Sequence, residues 1–104
     1  MLFEKKYSEG DVVSLKLTSG EEVIGRFVKE DMTSVTLERP SMIAMTPKGP
    51  GMAPVMFTVN QESSLTFNKS TVMITANSLK DIADQYVFQT TGIQPVSAGS
   101  IVTG

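Results

Sequence analysis

The sequence predicts a mainly β domain: a small, strongly bent five-stranded barrel followed by a C-terminal α-helix. Three observations predict it. Short runs alternate apolar and polar residues, as half-buried strands do. The connections between these runs are brief and rich in turn residues. One late stretch, "NSLKDIADQYVFQ", changes to helical spacing. Short strands with brief turns imply a sheet that closes on itself, because a flat five-stranded sheet would leave one face wet.

The elements follow in order. Val12, Val13, Leu15 and Leu17 mark the first strand, with Ser14, Lys16 and Thr18 on the opposite face. "TSGEE" supplies a turn in which Gly20 can take a positive φ. The second strand runs from about Glu22 to Lys29, and the third from near Ser34 to about Met45. Pro40 lacks a backbone donor, so the third strand should be bent, bulged or at an edge there. "TPKGPG", Thr46 to Gly51, is the strongest turn signal. "MAPVMFTV" then reads as strand, "NQES" as an irregular connection, "SLTF" as strand, "NKS" as a tight turn and "TVMITA" as a short strand. A helix is predicted over about 78–89, with Leu79, Ile82, Ala83, Tyr86 and Val87 at helical spacing and Asn77 or Ser78 as N-cap. These six strand-like runs are read as a five-stranded barrel followed by one helix. Residues 1–91 form one domain, and 92–104, small and polar, form a loose tail.

Gly25 interrupts the second strand, and six residues later comes Asp31. A glycine inside a strand marks a sharp bend or a close backbone approach. Gly25 therefore reads as a curvature residue, and Gly20 as the turn before it.

Composition narrows the chemistry. The 104 residues suit one compact domain. Hydrophobic content of 40% and charged content of 19% fit a globular protein. No apolar run approaches the roughly 20 residues of a membrane span, and "MLFEKKYSEGD" lacks the apolar segment of a signal peptide. With no cysteine and no histidine, disulfides, thiolate nucleophiles, histidine-based triads and the common zinc sites are excluded. No P-loop or G-x-S-x-G is present. Asp81 and Asp84 on the helix, and Glu21 and Glu22 beside a turn, have no second catalytic residue type with them. The chain reads as a non-enzyme with no catalytic residues, no cofactor and no metal. Nine Lys+Arg against eleven Asp+Glu give a net charge of −2, unhelpful for holding phosphates.

The pattern Leu17, Gly20, Val23, Gly25, Phe27 and Asp31, followed by apolar Val35–Leu37, resembles the first motif of the Sm-like (LSm) family. The resemblance implies a bent five-stranded, SH3-like barrel and a homo-oligomeric ring of six or seven subunits. In such rings the fourth strand of one protomer pairs with the fifth of the next. An exposed apolar edge at the short last strand, 71–76, argues for the same closure, because unpaired edges invite aggregation. Three features depart from the family: "LFEKKYSEG" is too short for the helix expected before the first strand, a helix stands at the C-terminus instead, and the tip "TPKGPGMAP" is richer in proline and glycine than such a loop requires.

Sm-like rings bind uridine- or adenine-rich single-stranded RNA at the pore. Carried over residue by residue, Asp31 matches the motif's aspartate, Met32 or Thr33 would lie against a base, and Ser34 stands where asparagine is expected. For the second motif, "ITANSL", 74–79, imitates the family string but is followed by a helix. "FNKSTVMI", 67–74, is preferred because its turn precedes a strand; it puts Asn68 and Lys69 at the critical positions, Lys69 resembling the lysine of bacterial rings. The candidate RNA-binding residues are thus Asp31, Met32, Thr33, Ser34, Asn68 and Lys69. Asp31 also suits a plain Asx-type turn, and Lys69 a solvated turn lysine.

The alternative is a ring-shaped scaffold for protein partners. Met42, Met45, Met52 and Met56 crowd both sides of "TPKGPG", and methionine adapts to irregular surfaces. The long "MTPKGPGMAPVMFTV" hairpin and the "KDIADQY" helix resemble small Sm-like proteins of bacterial viruses. That resemblance implies a bacteriophage protein working in the cytoplasm of an infected bacterium, away from membranes.

Overall fold

Apolar alternation builds the strands where the sequence suggests, and two glycine and proline positions decide how they bend. In the computed structural model, which describes residues 7–92, the order is β1 (Val12–Leu17), β2 (Glu22–Glu30), β3 (Ser34–Thr46), β4 (Gly49–Pro54), β5 (Ser64–Asn68), a 3-10 turn (Lys69–Thr71), β6 (Val72–Asn77) and α1 (Lys80–Thr91). All strand pairs are antiparallel.

One face of β1, β2 and β3 supplies the core: Val13, Leu15, Val23, Phe27, Val35 and Leu37 are buried together. Phe67 of β5 and Val72 of β6 pack against them, as do Tyr7, Leu17 and Val55. The opposite face of β2 carries Ile24, also fully buried. The helix α1 packs against β2, and its Tyr86 is buried, with the hydroxyl donating to the carbonyls of Glu38 at 2.9 Å and Arg39 at 3.1 Å.

The curvature expected at Gly25 and Pro40 occurs at one place. Ile24 faces Ser41 and Arg26 faces Glu38, so Gly25 alone opposes both Arg39 and Pro40. This is a β-bulge, which bends the bulged strand. Arg39 takes a left-handed φ of 51° there. A Cβ on Gly25 would stand 3.0 Å from Leu37 Cβ and 3.2 Å from Pro40 Cα, which is why the position holds glycine.

The sheet has six strands rather than five, and it does not close. Its order is β4-β3-β2-β1-β6, with β5 on the β4 side of β3. The strand read over "MAPVMFTV" lies earlier in the chain, at Gly49–Pro54, whose first three residues the sequence assigns to a turn. The reversal takes only Pro47 and Lys48, with Thr46 paired to Gly49 at a φ of 111°. An edge strand tolerates Pro50 and Pro54 because its outer side needs no donors. The strand predicted over "MAPVMFTV" ends at Pro54; residues 55–63 are irregular.

The two sides of the sheet are linked without β5 and β6 pairing. The 3-10 turn links β5, on β3, directly to β6, on β1. Lys69 N–H donates to Thr33 O at 2.8 Å, and Thr18 N–H to Thr71 O at 2.8 Å. Three residues therefore bridge the two sides of a strongly bent sheet, and among the described residues β5 and β6 do not pair with each other.

The helix begins two residues later than predicted. Its N-cap is Leu79, with no side-chain cap bond, rather than Asn77 or Ser78. Ser78 Oγ lies instead 2.7 Å from Ser14 Oγ, and Asn77 ends β6. Leu79 is 78% exposed and so lies outside the apolar stripe. Gly92 ends the helix in a left-handed conformation, its N–H donating to Phe88 O at 2.8 Å. Most of the predicted tail, residues 93–104, and the segment 1–6 lie outside the described residues.

Candidate nucleic-acid interface

The six candidate residues, distant in sequence, come together at one end of the sheet. β2 turns into β3 through Asp31, Met32 and Thr33, and β5 turns into β6 through Lys69–Thr71. The link between the two turns is strand pairing: Ser34 is the register partner of Asn68, and Lys69 N–H donates to Thr33 O.

Asp31 builds its turn. Its Oδ1 accepts from Thr33 N and Ser34 N, both at 2.8 Å, from Thr33 Oγ1 at 3.1 Å and from Ser34 Oγ at 3.2 Å. Its own N–H donates to Ser34 O at 2.9 Å. The backbone N–H groups of Thr33 and Ser34 hold the carboxyl below its ordinary pKa, because they favour the charged form. The Asx-turn role weighed for Asp31 is therefore what the side chain does, and the aspartate positions its neighbours.

Met32 is what the turn presents. It is 94% exposed, so its thioether offers a flexible apolar surface at the loop tip. Asn68 turns its side chain to the following residues: Oδ1 accepts from Ser70 N at 3.0 Å, and the Asn68 carbonyl accepts from Thr71 Oγ1 at 2.7 Å.

Lys69 is not a solitary cation. Its Nζ lies 3.1 Å from Glu30 Oε2, both side chains about one-third exposed. Glu30 Oε1 in turn accepts from the Tyr7 hydroxyl at 3.2 Å, and the Tyr7 ring meets Phe27 edge-on at a centroid distance of 4.8 Å. Partial burial, then the Glu30 charge, raises the Tyr7 pKa, since both disfavour a phenolate. Sequence reasoning missed Glu30 and Tyr7. The one available signal was that Glu30 directly precedes the candidate turn; its pairing with Lys69 depends on how β5 docks on β3.

The other alignment of the second motif falls outside both turns. Ile74, Thr75, Ala76 and Asn77 lie within β6, paired with β1, and Ser78 and Leu79 lead into α1. No group of three or more metal-ligating side chains occurs among the described residues, and none of the described helices is long and apolar enough to cross a membrane.

No family model matches this chain, and no curated protein matches it. Among solved structures, the crystal structure of a heptameric archaeal Sm protein is similar, with a TM-score of 0.49 and 15% sequence identity. The alignment covers 69% of this chain and 91% of the archaeal one.

Proposed function

We propose that copies of this chain join head to tail into a closed ring, and that the cluster of Asp31, Met32, Thr33, Ser34, Asn68 and Lys69 offers a single strand of RNA one shallow site per subunit. The observation that carries the ring is the strand order. β6 pairs only with β1, and β5 only with β3, leaving each with an open edge among the described residues. The two edges are of similar length, five and six residues. The β6 edge carries Met73 and Ile74, 63% and 56% exposed, an aggregation liability unless another copy covers it. Pairing of β5 with β6 of the next copy removes both edges at once, and closure of the ring leaves no β5 or β6 edge open.

In this reading Met32 lies against a base, Asn68 and Lys69 flank it, and Asp31 holds the loop in shape. Lys69 must exchange Glu30 for a phosphate or base, so each site is weak. A ring repeats it and multiplies the effect. The resemblance to phage Sm-like proteins would set this work in an infected bacterial cytoplasm.

A second reading has a specific observation in its favour. Met45 and Phe57 are 77% and 81% exposed, and Met56 is 46% exposed, so the Met-rich hairpin and the loop after it present apolar surface in the protomer. That surface suits a ring that holds protein partners.

One experiment addresses both. The native mass is measured while labelled oligo-U and oligo-A are titrated at two salt concentrations. The ring predicts a multiple of the 11.2 kDa protomer, and a monomer at micromolar concentration sinks it. RNA binding predicts saturable association that weakens with salt, and weakens further in Lys69→Glu at unchanged mass. Unchanged affinity in that variant removes the cluster as the site. An intact ring that binds neither oligonucleotide leaves the scaffold reading standing.

A further inference from the structure

A cleft of about 240 Å³ lies away from the loop cluster, between the β3–β4 hairpin, the loop before β5 and the C-terminal turn of α1. Arg39, at the bulge, lines it. Among the described residues Arg39 is the sole non-glycine with a left-handed φ. Such backbone strain persists only where the surroundings over-determine it, and it concentrates at functional sites. Three elements hold this residue. Its N–H donates to Ser63 O at 3.2 Å, its carbonyl accepts from Tyr86, and Nη1 donates to Thr90 O at 2.7 Å, one of the last carbonyls of α1. Glycine would take this φ without strain and still make the two backbone bonds. What the arginine adds is the guanidinium fork.

Half of that fork is committed and half is loosely held. Nη1 belongs to the helix end. Nη2 is 3.4 Å from Glu62 Oε1, on a side chain 73% exposed, well short of the roughly 2.7–2.9 Å of a good charge-assisted bond. A carboxylate entering the cleft can take Nη2 from Glu62 at little cost. The rest of the lining describes the body of such a ligand. Pro40, Met52 and Pro54 supply an apolar wall. Gln61 donates its amide nitrogen to the carbonyls of Met56 and Val59, both at 3.0 Å, which leaves its oxygen to accept from an N–H.

A carboxylate, a small apolar group and an N–H donor are together the end of a polypeptide. We propose that this cleft binds the C-terminal carboxylate of a peptide, with Arg39 as the anion anchor and Gln61 taking the last amide N–H. The volume suits one or two small residues, since it falls below the roughly 300 Å³ at which drug-sized pockets begin. Capture of a free C-terminus is an established mode of peptide recognition. The inference is independent of RNA binding and of the ring.

The test titrates the full-length, isotope-labelled protein with an acetylated alanyl-valine dipeptide, once as the free acid and once as the C-terminal amide. Expected are saturable amide-resonance shifts confined to the residues around Arg39, with the amide at least about tenfold weaker, as for loss of a charged hydrogen bond. Arg39→Gly, which suits the backbone, should abolish binding of the acid. Because losing the bond to Thr90 can loosen α1, Glu62→Gln is the second variant. It removes the competing carboxylate from an exposed loop and should tighten the acid severalfold while leaving the amide unchanged. Equal binding of acid and amide, shifts elsewhere on the molecule, no saturable shifts, or wild-type affinity in Glu62→Gln would each overturn the proposal.

Discussion

The first half of β3, Ser34–Glu38, has β2 on one side and β5 on the other, whereas the second half, Ser41–Thr46, has β4 along its whole length and β2 on the other side only as far as Ile43. β2 begins at Glu22, so Ala44, Met45 and Thr46 continue as a two-stranded ribbon with β4. Burial follows the neighbours. Val35, Thr36 and Leu37 are buried, while Ala44, Met45 and Thr46 are exposed. The turns at the two ends differ in the same way. The Asp31 turn is tied by several hydrogen bonds and docked on the next turn through Lys69, whereas the Pro47-Lys48 turn is held locally, by Thr46 Oγ1 donating to Gly49 O at 2.7 Å and accepting from Lys48 N at 3.2 Å. One continuous strand thus serves as core at one end and as half of a two-stranded ribbon at the other, tied to α1 only through Gln85 Nε2 donating to Pro50 O at 3.0 Å among the described hydrogen bonds, and the Arg39–Pro40 bulge separates the two regimes.

The sharpest way to break this comparison is to truncate one apolar side chain in each half. Leu37 is fully buried, so Leu37→Ala should cost about 2–5 kcal/mol, the transfer term plus a cavity. Met45→Ala on the ribbon should stay within about 0.5 kcal/mol, because little contact is lost. Urea midpoints measure both. Similar losses would mean that the ribbon is packed, for instance against another copy.

Two glycines sharpen the comparison at intermediate cost. An added Cβ at Gly25 meets Leu37 and Pro40 at 3.0–3.2 Å, and both belong to a packed bulge that cannot give way cheaply. Gly25→Ala should therefore destabilise by about 1–3 kcal/mol. Gly51 sits on the ribbon outside the left-handed region, with its nearest neighbour, Thr46 Cγ2, at 3.4 Å. Gly51→Ala should be neutral within about 0.5 kcal/mol, or slightly stabilising through the unfolded chain. Thermal midpoints of the two variants decide. Equal shifts would show that Gly25 is there for the bend alone and not for close approach.

The same division governs what the sequence revealed. In the core half, burial on one face imposes alternation, so Val12–Leu17, Val23–Phe27 and Val35–Leu37 were legible, and Gly25 with Pro40 marked the bend. The two turns of the loop cluster were picked out by their resemblance to the family's motifs; that they meet depends on β5 docking on β3, which no local pattern shows. The ribbon was not legible. "GPGMAP" buries neither face fully, so it carries no alternation, and its glycines and prolines looked like turn. Val55 and Phe57 extended the predicted strand too far, yet Val55 packs on the core from an irregular segment and Phe57 is exposed. Ser78 has the chemistry of an N-cap, but Ser14 across the sheet claims its hydroxyl. Glu30 and the Arg39 cleft depend on partners from distant elements, and no local pattern announces them.

The smallest expected effect tests the Asp31 turn, the locked end of β3. Its carboxyl titrates below its ordinary value in the folded state, chiefly because Thr33 N–H and then Ser34 N–H favour the charged form. A depressed folded pKa means that the unfolded chain binds the proton more readily. The stabilisation is complete above the unfolded value of about 3.9 and is lost as the pH falls through the lower folded value. Asp31→Asn keeps an acceptor oxygen for the turn but removes the charge. Its urea midpoint should therefore fall less than that of the wild type between neutral pH and about pH 2.5. Glu21, also held below its ordinary value, in its case by the Ser19 hydroxyl, contributes to the acid limb of both proteins and cancels in the difference. The fully exposed setting of Asp31 keeps the gap between the two curves small. Parallel curves would mean that the four hydrogen bonds on Oδ1 shape the loop without favouring its charge.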